Sequence, residues 1–169
     1  MANGFKRIII HWTAGGKVPN DTDKRHYHYM IDHTGKPYEG IFKPEANLHC
    51  VDDKNGSHYA AHTGGGNTGS IGVSMCGMMN FKDKNNVGPC PITRIQFEAC
   101  MKLCAVLAQK YGIPVLSTNI MTHYEFGLAH PNTASNGKID IIYLPPFPWL
   151  EKEDIGRFIR SKIKWYLAN

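Results

Sequence analysis

The chain has 169 residues, 42% hydrophobic and 20% charged, with a formal net charge of +5. That length suits one domain, residues 1–169, around a single core. No apolar run reaches the roughly 18 residues of a membrane span, and no Lys/Arg run or aromatic–basic interleaving marks a nucleic-acid module. The N-terminus, from Met1 to Arg7, lacks the basic, apolar and small-residue pattern of a secretion signal, so synthesis as a soluble, cytoplasmic monomer is expected. Five cysteines at irregular spacing do not make a disulfide framework; Cys100 and Cys104, four apart in a helical pattern, suit a core.

Residues 6–13 form a β-branched run that predicts a buried strand with a polar end at His11. Ala14, Gly15 and Gly16 break it. Residues 26–32 read as a second strand, 34–36 as a turn, and 37–41 as the hairpin partner. Residues 70–77 predict another strand and 82–91 a loop. Thr93 and Gln96 form a capping box for the clearest helix in the chain. Phe97, Cys100, Cys104, Leu107 and Tyr111 follow at helical spacing, and Gly112 and Pro114 end it. A strand over 115–123 would finish at His123, and 127–148 is a long ordered loop. From about Lys152 to Leu167 a second helix sets Ile155, Phe158, Ile159 and Ile163 against a basic face of Arg157, Arg160, Lys162 and Lys164. It either packs on the domain with that face solvated or touches an anionic membrane surface without inserting. These elements imply an α/β fold: a central mixed β-sheet flanked by helices.

Nine histidines are the notable feature of the composition. Histidine is both the commonest metal ligand and the acid–base group of neutral pH. His11 and His123 stand at strand ends and Asp140 in the late loop, and two histidines with a carboxylate can hold a catalytic metal and leave a position for water. Spacing alone does not select this triple, since nine histidines offer many others.

Five blocks in order carry a resemblance. Ile8-Ile9-Ile10-His11-Trp12-Thr13-Ala14 resembles the first zinc-ligand strand of the N-acetylmuramoyl-L-alanine amidases. Tyr27-His28-Tyr29-Met30-Ile31 with Gly35 resembles their Tyr-His strand and turn. Ala61-His62-Thr63-Gly64, Asn67 and Ser70-Ile71-Gly72-Val73 resemble their central block, Thr122-His123-Tyr124-Glu125 their second ligand, and Lys138-Ile139-Asp140 their last. That family includes phage lysozyme-type amidases, cytosolic anhydro-muropeptide amidases and peptidoglycan recognition proteins, and the resemblance implies their fold, with a zinc site in a surface groove.

Carried over, the resemblance implies zinc on His11, His123 and Asp140, with Tyr27 and Lys138 as catalytic groups. Tyr27 would orient water or bond the tetrahedral intermediate, and Lys138 would stabilise the developing oxyanion. Trp12, Thr13, His62, Thr63 and Asn67 would line the substrate groove, although His62 also reads as structural, as does His28. Glu125 would accept a hydrogen bond from a ligand histidine or cap the next turn. Two departures stand out. Ser74 occupies a position where some bacterial members carry a general-base glutamate, which points to the phage-type branch. The short stretch between His11 and Tyr27, broken by Pro19, reads as a loop where many members have a helix. The expected activity is zinc-dependent hydrolysis of the amide between N-acetylmuramic acid and L-alanine, by a phage-type endolysin that reaches the wall with the help of other factors. The alternatives are a recycling amidase, a delivered effector, a hydrolase of another amide, or a recognition module that binds peptidoglycan or muropeptides without cutting. All three ligand positions hold competent residues, which argues against the last.

Overall fold

A computed structural model describes residues 4–169. In chain order these form β1 (Arg7–Trp12), α1 (Asp21–His26), β2 (Tyr29–Ile31), β3 (Pro37–Glu39), a 3-10 turn at Pro44–Asn47, and a small hairpin of β4 (Asp52–Asp53) and β5 (Gly56–Ser57). Then come β6 (Ser70–Met75), α2 (Arg94–Tyr111), β7 (Ile120–Thr122), α3 (His123–Ala129) and α4 (Lys152–Ala168). The main sheet runs β3-β2-β6-β1-β7. β2, β6, β1 and β7 are mutually parallel, and β3 is the antiparallel edge. The mixed sheet with flanking helices is therefore as expected.

Alternation along β1 decides which side chain sees which layer, because successive strand residues point to opposite faces. Ile8, Ile10 and Trp12 join Ile71, Val73, Met75 and the buried faces of α2 and α4 in the main core. Ile9 faces the other way and packs with Met121 and Phe126 of α3 in a second, small cluster. His11 shares that second face and sits in register with Ser74 of β6. It lies at the carboxyl end of parallel strands, where open α/β sheets place their ligands.

α2 begins at the expected capping box, Thr93 with Gln96, and ends on Gly112 at φ +64°. Gln96 also reaches the sheet: its side-chain amide donates to the carbonyls of Ile31 and Cys76, 2.8 Å each. Cys100 and Cys104 are buried in the main core. α4 packs through Ile155, Ile159 and Ile163. Of its basic face, Arg157, Arg160 and Lys162 pair with Asp154, Glu125 and Glu98.

Three expectations are corrected. The segment before Tyr27 contains a short helix, α1, because Asn20 and Asp23 cap it reciprocally just after Pro19. The strand expected over 26–32 shrinks to β2, since His26 ends α1 and Tyr27 caps it. The strand before His123 is also short, and His123 opens α3 rather than closing β7.

Candidate active site

His11 lies on β1 and His123 opens α3 directly after the neighbouring parallel strand β7, and the register Ile10 to Thr122 brings their rings to 4.7 Å. Asp140 arrives from the loop after α3. Its Oδ2 lies 2.8 Å from His11 Nδ1 and 3.2 Å from His123 Nδ1. The three potential ligand atoms all lie within 4.8 Å of one another, and all three residues are buried.

The outer hydrogen bonds determine where the protons sit. The Ser135 hydroxyl donates to Gly64 O at 2.8 Å, so it accepts from His123 Nε2 at 2.9 Å. His123 therefore turns a bare Nδ1 toward Asp140. His62 donates from Nε2 to Ser70 O at 3.3 Å, which leaves its Nδ1 as an acceptor. His11 Nε2 stands 3.1 Å from that nitrogen and 3.4 Å from Thr63 Oγ1, and donates in that direction. His11 Nδ1 is then bare as well. Two imidazole lone pairs and a carboxylate oxygen converge on one point, an arrangement that repels itself unless a cation joins it. Two nitrogens and one oxygen are a donor set that suits zinc and leaves a coordination position open.

Burial pulls His11 below the ordinary histidine range, against the opposing pull of Asp140. Burial, with His11 and His28 nearby, takes His62 well below it. Asp140 is pushed by burial toward the neutral acid, but the two imidazoles outweigh this and hold it below the usual carboxylate range. Tyr27 rests 5.1 Å from the His11 ring. Burial, then Asp140, raises its phenol far above the ordinary value, so it remains a neutral donor. Lys138 is exposed, and its charge reaches His11.

Other expected residues take different posts. Trp12 is corrected: it is 4% exposed, faces the main core on the opposite side of β1 from His11, and packs on Phe81 at 5.1 Å. It offers no face to a groove. The Thr13 hydroxyl accepts from the amides of Gly15 and Gly77, tying down the turn after β1. Asn67 accepts from the amides of His62 and Thr63 and holds that segment against the site. Thr63 is buried and bonds His62 at 2.7 Å. His62, Thr63 and Asn67 thus form a scaffold behind His11. Glu125 does not bond a ligand histidine; it caps α3 through the Thr122 amide and pairs with Arg160 through two contacts of 3.0 and 3.1 Å. His28 bonds Asn47 and the Gly72 amide, 2.9 Å each.

One contributor, Ser135, escaped the sequence. Ser135 lies in a loop rich in small polar residues, with nothing local to mark it. The Ser74 hydroxyl is fully buried beside Tyr27, yet no donor–acceptor geometry completes a bond to it.

A family profile described as N-acetylmuramoyl-L-alanine amidase matches residues 2–140. The chain belongs to that family. No curated protein sequence matches it. Among solved structures, a point mutant of PlyL is similar, with a TM-score of 0.52 and 19% identity over 95% of this chain and 85% of that one. The amidase LysC from Clostridium intestinale URNW gives 0.47 and 16% identity over 80% of each chain. The Apis mellifera PGRP-SA gives 0.49 and 19% over 90% and 82%. At these identities the likeness concerns the fold, and the PlyL match supports it.

Proposed function

We propose that this amidase is a zinc enzyme that hydrolyses the bond between N-acetylmuramic acid and L-alanine in peptidoglycan. The observation that carries the reading is the convergence of two bare imidazole nitrogens and the Asp140 carboxylate on one point. Zinc held there would supply Lewis acidity to polarise the scissile carbonyl and acidify an attacking water.

The chain's own groups supply the rest. Ser135, His62 and Thr63 fix the histidine tautomers before substrate arrives. Tyr27, a neutral phenol beside His11, donates a hydrogen bond to the oxygen that gains charge as the carbonyl is attacked. Lys138 brings a positive charge to the same edge and offsets that developing charge. Ser74 cannot serve as a base at neutral pH, so the proton passes to another group of the site. A phage-type endolysin role, with delivery to the wall by other factors, rests on Ser74 and on the Lys138-Ile139-Asp140 block.

Purified peptidoglycan incubated with zinc-loaded protein tests this by mass spectrometry of the soluble products. Stem peptides beginning at L-alanine, lost with chelator and restored by zinc, are expected. Wall binding with no bond cut, in protein that contains zinc, would overturn it in favour of a recognition module.

A further inference from the structure

The helical layer of α2 and α4 covers the face of the sheet that Ile8, Ile10 and Trp12 enter, opposite the face of His11. This layer holds the whole formal charge of the chain. α2 sets Arg94, Lys102 and Lys110 against Glu98, a net +2. α4 sets Lys152, Arg157, Arg160, Lys162 and Lys164 against Glu153 and Asp154, a net +3, while all 169 residues come to +5. The carboxylates do not offset the far end of the layer. Glu98 takes Lys162 at 2.6 Å and the Tyr166 hydroxyl at 2.9 Å, which clips the two helices together. Asp154 takes Arg157 and stands with Glu153 in the first turn of α4. Toward the carboxyl ends, Lys102, Lys110 and Lys164 are exposed and in no ion pair among the described residues.

Among these lysines the surface is apolar. A groove of about 320 Å³ joins Lys102, Val106 and Gln109 of α2 to Trp165, Tyr166 and Leu167 of α4. Trp165 is 55% exposed, Val106 54% and Leu167 42%. The Trp165 ring stands edge-on to Tyr166 at 5.0 Å. Exposed apolar side chains grouped in this way mark a contact surface, and the free lysines select what it contacts. A soluble polyanion would satisfy the lysines and leave Trp165 and Leu167 in water. A second copy of the chain, meeting this surface with its own, would cover the apolar strip but set lysines against lysines. An anionic phospholipid surface satisfies both. Lysines gain from its negative potential, and an indole ring settles at headgroup level with its apolar neighbours below it.

We propose that the carboxyl-terminal halves of α2 and α4 dock this protein on the headgroup layer of an anionic phospholipid bilayer. His11 lies across the sheet from this surface and meets His123 and Asp140 there, so the docked molecule keeps its candidate site turned away from the lipid. Docking needs neither zinc nor hydrolysis and stands apart from the amidase reading.

The test sediments the full chain with vesicles of equimolar phosphatidylglycerol and phosphatidylcholine, and with vesicles of phosphatidylcholine alone. Binding to the anionic vesicles and little to the neutral ones is expected. Lys102→Gln combined with Lys164→Gln should weaken it roughly thirtyfold, whereas Lys102→Arg with Lys164→Arg should keep it. Trp165→Ala should weaken it roughly tenfold. Asp140→Asn should bind as the wild type does, and far-UV spectra should be alike throughout. Equal binding to the two kinds of vesicle, or undiminished binding by the double glutamine variant, overturns the docking surface. So does binding to inorganic polyphosphate that is as tight as to anionic vesicles and indifferent to Trp165→Ala, which would mark a plain polyanion site. Dimers seen by ultracentrifugation and broken by Trp165→Ala, with no vesicle binding, would assign the strip to a second copy instead.

Discussion

His123 turns a bare nitrogen to the centre of the site because Ser135 engages the other one. Ser135 is fully buried and spends its own proton on Gly64 O. It therefore sets the tautomer without touching the metal position. Ser135→Ala should lower zinc affinity about ten- to a hundredfold, measured by competition with a chromogenic chelator. Unchanged affinity would show that the tautomer is set some other way. Asp140→Asn removes the only anionic ligand and should abolish both zinc retention and hydrolysis while the far-UV spectrum is kept. Tyr27→Phe should retain zinc fully and lose turnover, because it removes a donor and no ligand. Equal turnover in that variant would exclude Tyr27 from the chemistry.

The short α3 places His123, and its position depends on a partner from the far end of the chain. Thr122 and Glu125 cap α3 reciprocally, and Arg160 of α4 grips the same Glu125 carboxylate. Gly156 of α4 allows this approach, since a Cβ there would overlap the Glu125 carboxylate. Glycine to alanine inside a helix ordinarily stabilises by about 1 kcal/mol. Here the sign should reverse. Gly156→Ala should lose about 2 kcal/mol in urea unfolding, because it displaces a charged group from both its cap and its cation. A stabilised Gly156→Ala protein would mean that Glu125 can move away at no cost.

At the scale of the whole molecule, buried neutral histidines make stability depend on pH. Burial depresses His28 to about 4, while an unfolded histidine titrates near 6.5. Between those values the unfolded chain binds the proton and the folded chain refuses it, so stability rises with pH there. The contribution is fully present above pH 6.5 and is lost as pH falls toward 4, by roughly 3 kcal/mol at the lower end. His62, lowered in the same direction, adds to the loss. Urea midpoints of chelator-treated protein at pH 7.5, 6 and 5 should fall in that order; a flat profile would contradict it. Zinc held at the proposed site would act on the whole fold by binding only the native state. At roughly a hundredfold excess over Kd it should add about 2.7 kcal/mol, a rise of roughly 5–10 °C in Tm at this length. Asp140→Asn should show no such rise.

What the sequence determined by itself is what short-range physics encodes. β1 and β6 follow from β-branched runs, α2 from its capping box and glycine stop, and α4 from its apolar stripe, all written within a few neighbouring residues. The family blocks marked His11, His123 and Asp140 because residue type and spacing persist in a single chain. The tertiary structure decided everything that needs two distant segments at once. The strand pairing carries His11 to an aspartate 129 positions away. The sheet's two faces send Trp12 into the core and His11 to the opposite side, where Asp140 meets it. Glu125 binds Arg160 instead of a histidine because Gly156 lets α4 come against α3. Ser135 matters only because a turn folds it back onto His123. Local propensity reads neighbours along the chain, whereas these roles depend on which lone pair faces which proton across the fold.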